Sequence, residues 1–400
     1  MKKLLLLFSM VALAFNASAD NYLTIDDVRV RPGGSTNLVV RYHFDSELIC
    51  AYQLDIQVPS GITLNAGAEN GETIDKTWTI GRNKIGDGHY RYATFSYGEG
   101  EDGDDPSGNI PVTDHEGVLL YIPLSVDATL TAGTELEGTL YDVVLPENTG
   151  GDFKPEPVTF KIYIDDDAVD YVLDEMAKEA PTAKTDANVK VLRTINANEW
   201  STICLPFAMT DVQVKETFGN DVKIAKISST TPYELEDNPD YIYRIDVNFT
   251  SVNSIDANTP YIIKTSAYVS EFVVLHVNVA PTATPRAGTS AARMYGNYVN
   301  GINVPEFSLF LADNKFWYST GATKIKGLRG YFTLRDILTK VDDAGAKVNM
   351  VFDGEITGIS NIEQGTEEKA YSVDGIYMGT DTSRLQRGVY IVNGKKVVKK

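Results

Sequence analysis

The chain has 400 residues, with 55 acidic side chains against 36 lysines and arginines, for a formal net charge of −19. So acidic a molecule repels phosphate, which excludes nucleic acid and anionic lipid as partners of the whole surface. The length calls for two or three compact units, and the two cysteines, Cys50 and Cys204, are too few for a disulfide scaffold.

The N-terminus reads MKKLLLLFSMVALAFNASAD. Two lysines, an apolar run from Leu4 to Phe15 and then Ala17-Ser18-Ala19 make a secretory leader, 1–19, with cleavage expected after Ala19. The apolar run is far short of the roughly 20 residues that span a bilayer, and Asp20 stands where a lipoprotein carries cysteine. Loss of Lys2 and Lys3 takes the net charge from −19 to −21. No later stretch is apolar enough to span a membrane. The mature chain is therefore expected outside the cytoplasm, at the cell surface or in the medium, with the periplasm as a further compartment.

From Asn21 onward the period is two. Tyr52, Leu54, Ile56 and Val58 alternate with Gln53, Asp55 and Gln57, and the same spacing recurs for Leu38, Val40, Tyr42 and Phe44 and for Val158, Phe160, Ile162 and Ile164. That is the pattern of strands with one dry and one wet face. Turn clusters such as RPGGST and EGEDGDDPSG separate them. About eight or nine strands in residues 20–165 make a β-sandwich. The order RPGGSTNLVVRYHF, ICAYQLDIQVPSGITL and EGVLLYIPLSVDATLTAGTELEGTLYDVVL resembles the cohesin and carbohydrate-binding superfamily of jelly-roll sandwiches. The resemblance implies a binding or spacing module and does not choose among its ligands.

Residues 166–186 turn to acids, alanines and threonines and are expected to link domains. The stretch from Asp165 reads as a linker with a short ordered piece, either a short helix or a strand, and Asp165, Asp166 and Asp167 read as a helix cap or a solvated run rather than a metal site. The next unit, 187–356, opens on an apolar strand with Trp200, Ile203, Leu205 and Phe207, where Pro206 marks an edge or bulge. Thr210 and Gln213 then stand at capping-box spacing, Val214 and Phe218 are four apart, and Gly219 closes one short helix. Strands follow at YIYRIDVNF, TPYIIKT, SEFVVLHVNV, FSLFLADNKFWYS and GLRGYFTL. The stretches EWSTICLPFAM, ANTPYIIKT and KIKGLRGYFTL resemble an uncharacterised domain of exported Bacteroidota proteins, set after other β modules and before a short C-terminal tail.

Residues 357–400 form a small C-terminal β module. Asn393-Gly394 sits between two four-residue runs in VYIVNGKKVV, the strongest local signal for a two-residue hairpin, and Asp374-Gly375 in YSVDGIYM repeats the device. Pairing across Asn393-Gly394 puts Val392 opposite Lys395, Ile391 opposite Lys396, Tyr390 opposite Val397 and Val389 opposite Val398. Gly388, Tyr390 and the KKVVKK end resemble type IX secretion sorting domains in a shortened form, which implies recognition of residues 369–400 by secretion machinery. The other reading is a structural cap whose lysines guard an edge.

His43, His89, His115 and His276 are scattered, with no pair at metal-ligand spacing. No nucleophile elbow, zinc-protease or phosphate-loop motif occurs. Residues 98–103, GEGEDG, match a dinucleotide loop only in letters, since three acids sit where a pyrophosphate would go. Glu99, Glu101, Asp102, Asp104 and Asp105 offer calcium ligands without a fixed loop pattern, and a solvated turn is the plainer reading. Cys50 and Cys204 read as small buried apolar residues. As a strand, HYRYATFSY sets Tyr90, Tyr92, Thr94 and Ser96 on one face and His89, Arg91, Ala93, Phe95 and Tyr97 on the other. Those tyrosines, with Phe316, Trp317 and Tyr318, are the glycan-contact candidates, weighed against burial in the core.

The expectation is an all-β chain of tandem β-sandwich, jelly-roll-like domains, without catalytic residues, cofactor or metal. It acts as an exported interaction or adhesion protein whose partner is an extracellular glycan or protein. The alternatives are a carbohydrate-binding component of a polysaccharide-handling system and, behind it, a glycoside hydrolase whose paired carboxylates no spacing reveals.

Overall fold

A computed structural model describes residues 21–44, 49–95, 112, 114–147, 150–290, 292–341 and 346–362, then 370–372, 377–379, 388–392 and 395–399. The leader 1–19, Ser96, Tyr97, the acidic loop 98–105 and the turns at Asp374-Gly375 and Asn393-Gly394 lie outside the described residues. The chain is all-β and divides into two compact units, 1–170 and 171–400.

The first unit packs two sheets. One has the order Tyr22–Ile25, Ser35–His43, Glu116–Val126, Ile62–Leu64, with Glu69–Asn70 also on Glu116–Val126. The other has the order Val28–Val30, Val158–Ile164, Glu135–Pro146, Ala51–Gln57, His89–Phe95, Thr79–Gly86, with Asp152–Phe153 on Glu135–Pro146. These make twelve described strands rather than eight or nine. The surplus consists of pieces such as Glu69–Asn70 and Asp152–Phe153, two residues each, too short to show a period. Between the sheets, Leu38, Val40, Tyr42 and Phe44 meet Leu54, Ile56, Tyr90, Tyr92 and Phe160 in one apolar core. Each such side chain contributes about 1.5–3 kcal/mol by leaving water. Gly138 lets the Phe160 ring lie on the backbone, because a Cβ there would overlap the ring.

In the second unit a six-stranded sheet has the order Ser201–Cys204, Pro260–Lys264, Lys223–Leu235, Asn238–Val252, Ala346–Phe352, Glu355–Ile362. Against it lies a five-stranded sheet in the order Arg286–Gly288, Arg293–Asn297, Arg329–Thr333, Ser308–Ala312, Lys315–Ser319. Their shared core holds Ala287, Met294, Leu309, Phe316 and Phe332 facing Ile245, Val247, Phe249 and Val348. A three-stranded sheet, Tyr171–Asp174, Lys184–Ile195 and Val269–Val279, joins a second core with Ile203, Phe207 and Tyr261. Tyr171–Asp174 and the start of Lys184–Ile195 thus fall in the stretch 166–186.

The helix α1, Asp211–Phe218, has the expected ends: Thr210 and Gln213 form a capping box and Gly219 closes it, with Val214 and Phe218 turned to the core. One helix was expected; a four-residue turn of helix, Arg335–Leu338, is added to it. Four residues are too few to show a helical stripe. Near the C-terminus a four-stranded sheet has the order Tyr377–Gly379, Ala370–Ser372, Gly388–Val392, Lys395–Lys399. Its last pair has the expected register, with Val392 opposite Lys395 and Val389 opposite Val398. Among the described residues no helix is long and apolar enough to cross a membrane.

Candidate functional site

Side chains alternate along Ala51–Gln57, so if Leu54 and Ile56 enter the core, Gln53, Asp55 and Gln57 face away from it. Asp55 nevertheless has no exposed side-chain surface. The register explains how it is covered: Tyr141 lies opposite Asp55 on one side and Arg91 on the other. Arg91 grips the carboxylate with both arms of its fork, Nε to Oδ1 at 2.6 Å and Nη2 to Oδ2 at 2.8 Å. His89, diagonal to it, places Nε2 at 2.9 Å from Oδ2 and at 2.8 Å from the Tyr141 hydroxyl.

Burial pushes the Asp55 carboxyl up, but the bonds from Arg91 and His89 outweigh it and hold the group below the ordinary carboxylate range. Both contacts of His89 fall on one ring nitrogen. A relay needs the two nitrogens on opposite partners, so this arrangement clamps three side chains and does not pass a proton between Tyr141 and Asp55. The ladder continues outward: Glu135 and Glu137 hold Lys161 at 3.1 and 2.8 Å, and Arg29 lies 4.7 Å over the Tyr163 ring. The outer face of this sheet is thus a broad platform of fixed polar and aromatic side chains.

A second charged cluster, in the other unit, has Glu175 at its centre. Lys326 approaches Oε1 at 2.8 Å, while Arg329 and Arg193 approach Oε2 at 2.9 and 3.3 Å. Arg193 is wholly buried and also donates to the Ser201 hydroxyl and the Thr202 carbonyl. Burial, with Arg329 nearby, pushes its guanidinium down to about 9, which leaves it charged at neutral pH. Burial raises and the cations lower the Glu175 carboxyl, and the cations win. With Arg193 sealed from solvent, the cluster is a brace between Lys184–Ile195 and Arg329–Thr333 and not a ligand pocket. An open cleft of about 340 Å³ in the first unit is lined by Glu69, Asn70, Gly71, Glu72, Ile74 and Lys76.

The structure separates the sequence candidates. Tyr90 and Tyr92 are core residues, while His89 and Arg91, on the other face of the same strand, form the clamp. Phe316 is buried, and Trp317 is 47 % exposed. His43 lies against Glu116, His115 against the Phe44 carbonyl and His276 against Asp186. Among the described residues no three or more His, Cys, Asp or Glu side chains converge as a metal site requires. Cys50 and Cys204 are free and buried. Asp165 accepts the Asp167 amide and pairs with Arg29, a turn rather than a helix cap. Asp55 and Tyr141 belong to no motif in the sequence. The only signal for Asp55 is a charge on the wet face of a strongly alternating strand.

No family model matches the chain, and no curated protein matches it. Among solved structures it is similar to the sixth cohesin of scaffoldin B from Acetivibrio cellulolyticus, solved with a Cel5 dockerin mutant. That similarity has TM-score 0.31 and 14 % identity over 36 % of this chain and 99 % of the cohesin. It is likewise similar to a cohesin module from a Clostridium perfringens family 33 glycoside hydrolase, at TM-score 0.30 and 10 % identity over 37 % and 98 %. A non-cellulosomal cohesin from Archaeoglobus fulgidus gives 0.26 and 16 % over 35 % and 90 %.

Proposed function

We propose that this is an exported, non-enzymatic interaction protein that binds a protein partner outside the cell through the outer face of the sheet centred on Ala51–Gln57. The observation that carries the reading is the zero-exposure Asp55 carboxylate clamped by Arg91 and His89, with Tyr141 bonded to His89. A charge placed there stiffens its neighbours before any partner arrives. Arg and Tyr are the side chains that dominate binding hot spots, and holding them fixed lowers the entropy lost on association. Lys161, held by Glu135 and Glu137, adds charges of both signs to the same face, a means of fixing the orientation of a protein surface.

The leader 1–19 supports export, and the basic strand pair ending the chain supports residues 369–400 as the part read by the export machinery. Site-specific photo-crosslinking on the intact secreted protein tests the reading. A crosslinker at Gln53 or Thr139, beside the clamp, should trap one extracellular partner. The same group at Thr24 or Thr63, on the other sheet of that unit, should trap none. Equal trapping from both sheets, or none from Gln53 and Thr139, would refute the proposal.

A further inference from the structure

The five-stranded sheet of the second unit has an unusual outer face. Its inner side is set by Ala287, Met294, Phe332, Leu309 and Phe316, all in the core, so the alternate residues point the other way. In register these form a row across the sheet: Arg286 opposite Tyr295, Tyr295 opposite Tyr331, and Phe310 opposite Trp317. The pairing of Leu309 with Phe332 carries Phe310 to the Tyr331 side. Tyr295 and Tyr331 stack with centroids 5.7 Å apart and planes 25° from parallel. Trp317, 47 % exposed, has its ring fixed by an Nε1–H bond to the Ala312 carbonyl at 3.0 Å. From Tyr295 to Trp317 the row crosses three strand spacings, about 14 Å.

Two further features identify what such a row takes. The outward positions on these strands hold no Val, Leu or Ile, so the apolar surface is almost wholly aromatic. Aromatic rings spaced along a row suit the C–H faces of successive sugar rings. The same strands also carry Arg286, Arg293, Lys315 and Arg329 and no Asp or Glu, in a chain whose net charge is −19. All four cations lie on the aromatic side by alternation. Arg329 is engaged by Glu175, Arg293 donates to the Tyr295 hydroxyl at 3.2 Å, and Arg286 and Lys315 are exposed at the two ends. From this we infer that the outer face of this sheet binds an anionic polysaccharide, with sugar rings stacked along Tyr295, Tyr331, Phe310 and Trp317 and acidic groups met by Arg286, Arg293 and Lys315. This site is separate from the clamp around Asp55 and does not depend on it.

Calorimetric titration of the full mature chain with polygalacturonate, chondroitin sulfate and neutral amylose, at low and high salt, tests the inference. Binding is expected to at least one acidic polymer, weaker at high salt, and the two acidic arms tell carboxylate from sulfate. Trp317→Ala should weaken it at least tenfold, and Arg286→Ala with Lys315→Ala, both exposed positions, should weaken it and flatten the salt dependence. The double variant carries the test if Trp317→Ala fails to fold. No binding to either acidic polymer, preference for amylose, or affinity unchanged in a folded variant would overturn the inference.

Discussion

Replacing Asp55 by Asn keeps the shape of the clamp and removes its charge. The wild-type carboxylate receives two bonds from Arg91, at 2.6 and 2.8 Å, and one from His89 at 2.9 Å. Bonds to charged groups are each worth about 1.5–3 kcal/mol net. The Arg91 and His89 side chains are 38 % and 24 % exposed, so water recovers part of what they lose. The total loss should therefore be about 2 kcal/mol rather than the sum of three bonds. Amide hydrogen exchange read on peptides from Ala51–Gln57 and His89–Phe95 in the intact protein measures it directly. A loss of that size speeds exchange through opening of the unit about 30-fold at neutral pH. The sign with pH follows from the carboxyl being held below its ordinary value near 4. The stability it lends is complete above that value and disappears as pH falls through the folded-state value. Wild type and Asp55→Asn should therefore converge in melting temperature in acid. A change in exchange below about threefold, or a melting difference that persists undiminished in acid, would refute the clamp.

Other outcomes follow from the same geometry. Glu175→Gln leaves Arg193 buried beside two more cations, and should cost the second unit about 3–5 kcal/mol, read by denaturant unfolding; a loss under about 1 kcal/mol would deny the brace. Gly138→Ala drives a methyl into the Phe160 ring and should cost about 1–3 kcal/mol in the first unit; unchanged stability would show the ring is free to move. Burial pushes the Cys204 thiol up to about 12 and raises that of Cys50. Neither should react with a thiol reagent at pH 8 until the protein is denatured, when both should react without reductant; a missing thiol would mean a disulfide. Deletion of residues 369–400 should release the protein from its normal place of export, and unchanged surface retention would remove the sorting role.

The sandwich was legible because a strand such as Ala51–Gln57 alternates cleanly, and burial on one face leaves a period of two in the letters. The capping box at Thr210 was legible for the same local reason. What stayed hidden depends on which strands become neighbours. Tyr141, Asp55 and Arg91 lie 86 and 36 positions apart in the chain and meet only through the register of three strands. The aromatic row is the same case. Trp317 stood out as an exposed-ring candidate, but Tyr295, Tyr331 and Phe310 joined it only once the sheet order was known. Glu175 was hidden differently, since a lone acid in a polar stretch carries no sign that three cations converge on it.

Partner binding by the face around Asp55 is tested most directly by the affinity of the partner trapped from Gln53 or Thr139 for the intact protein and its Arg91→Ala and Tyr141→Ala variants. A loss of about 2 kcal/mol, roughly 30-fold in dissociation constant, is expected for at least one of them, and no change for Trp317→Ala. Equal affinity across wild type, Arg91→Ala and Tyr141→Ala would contradict it.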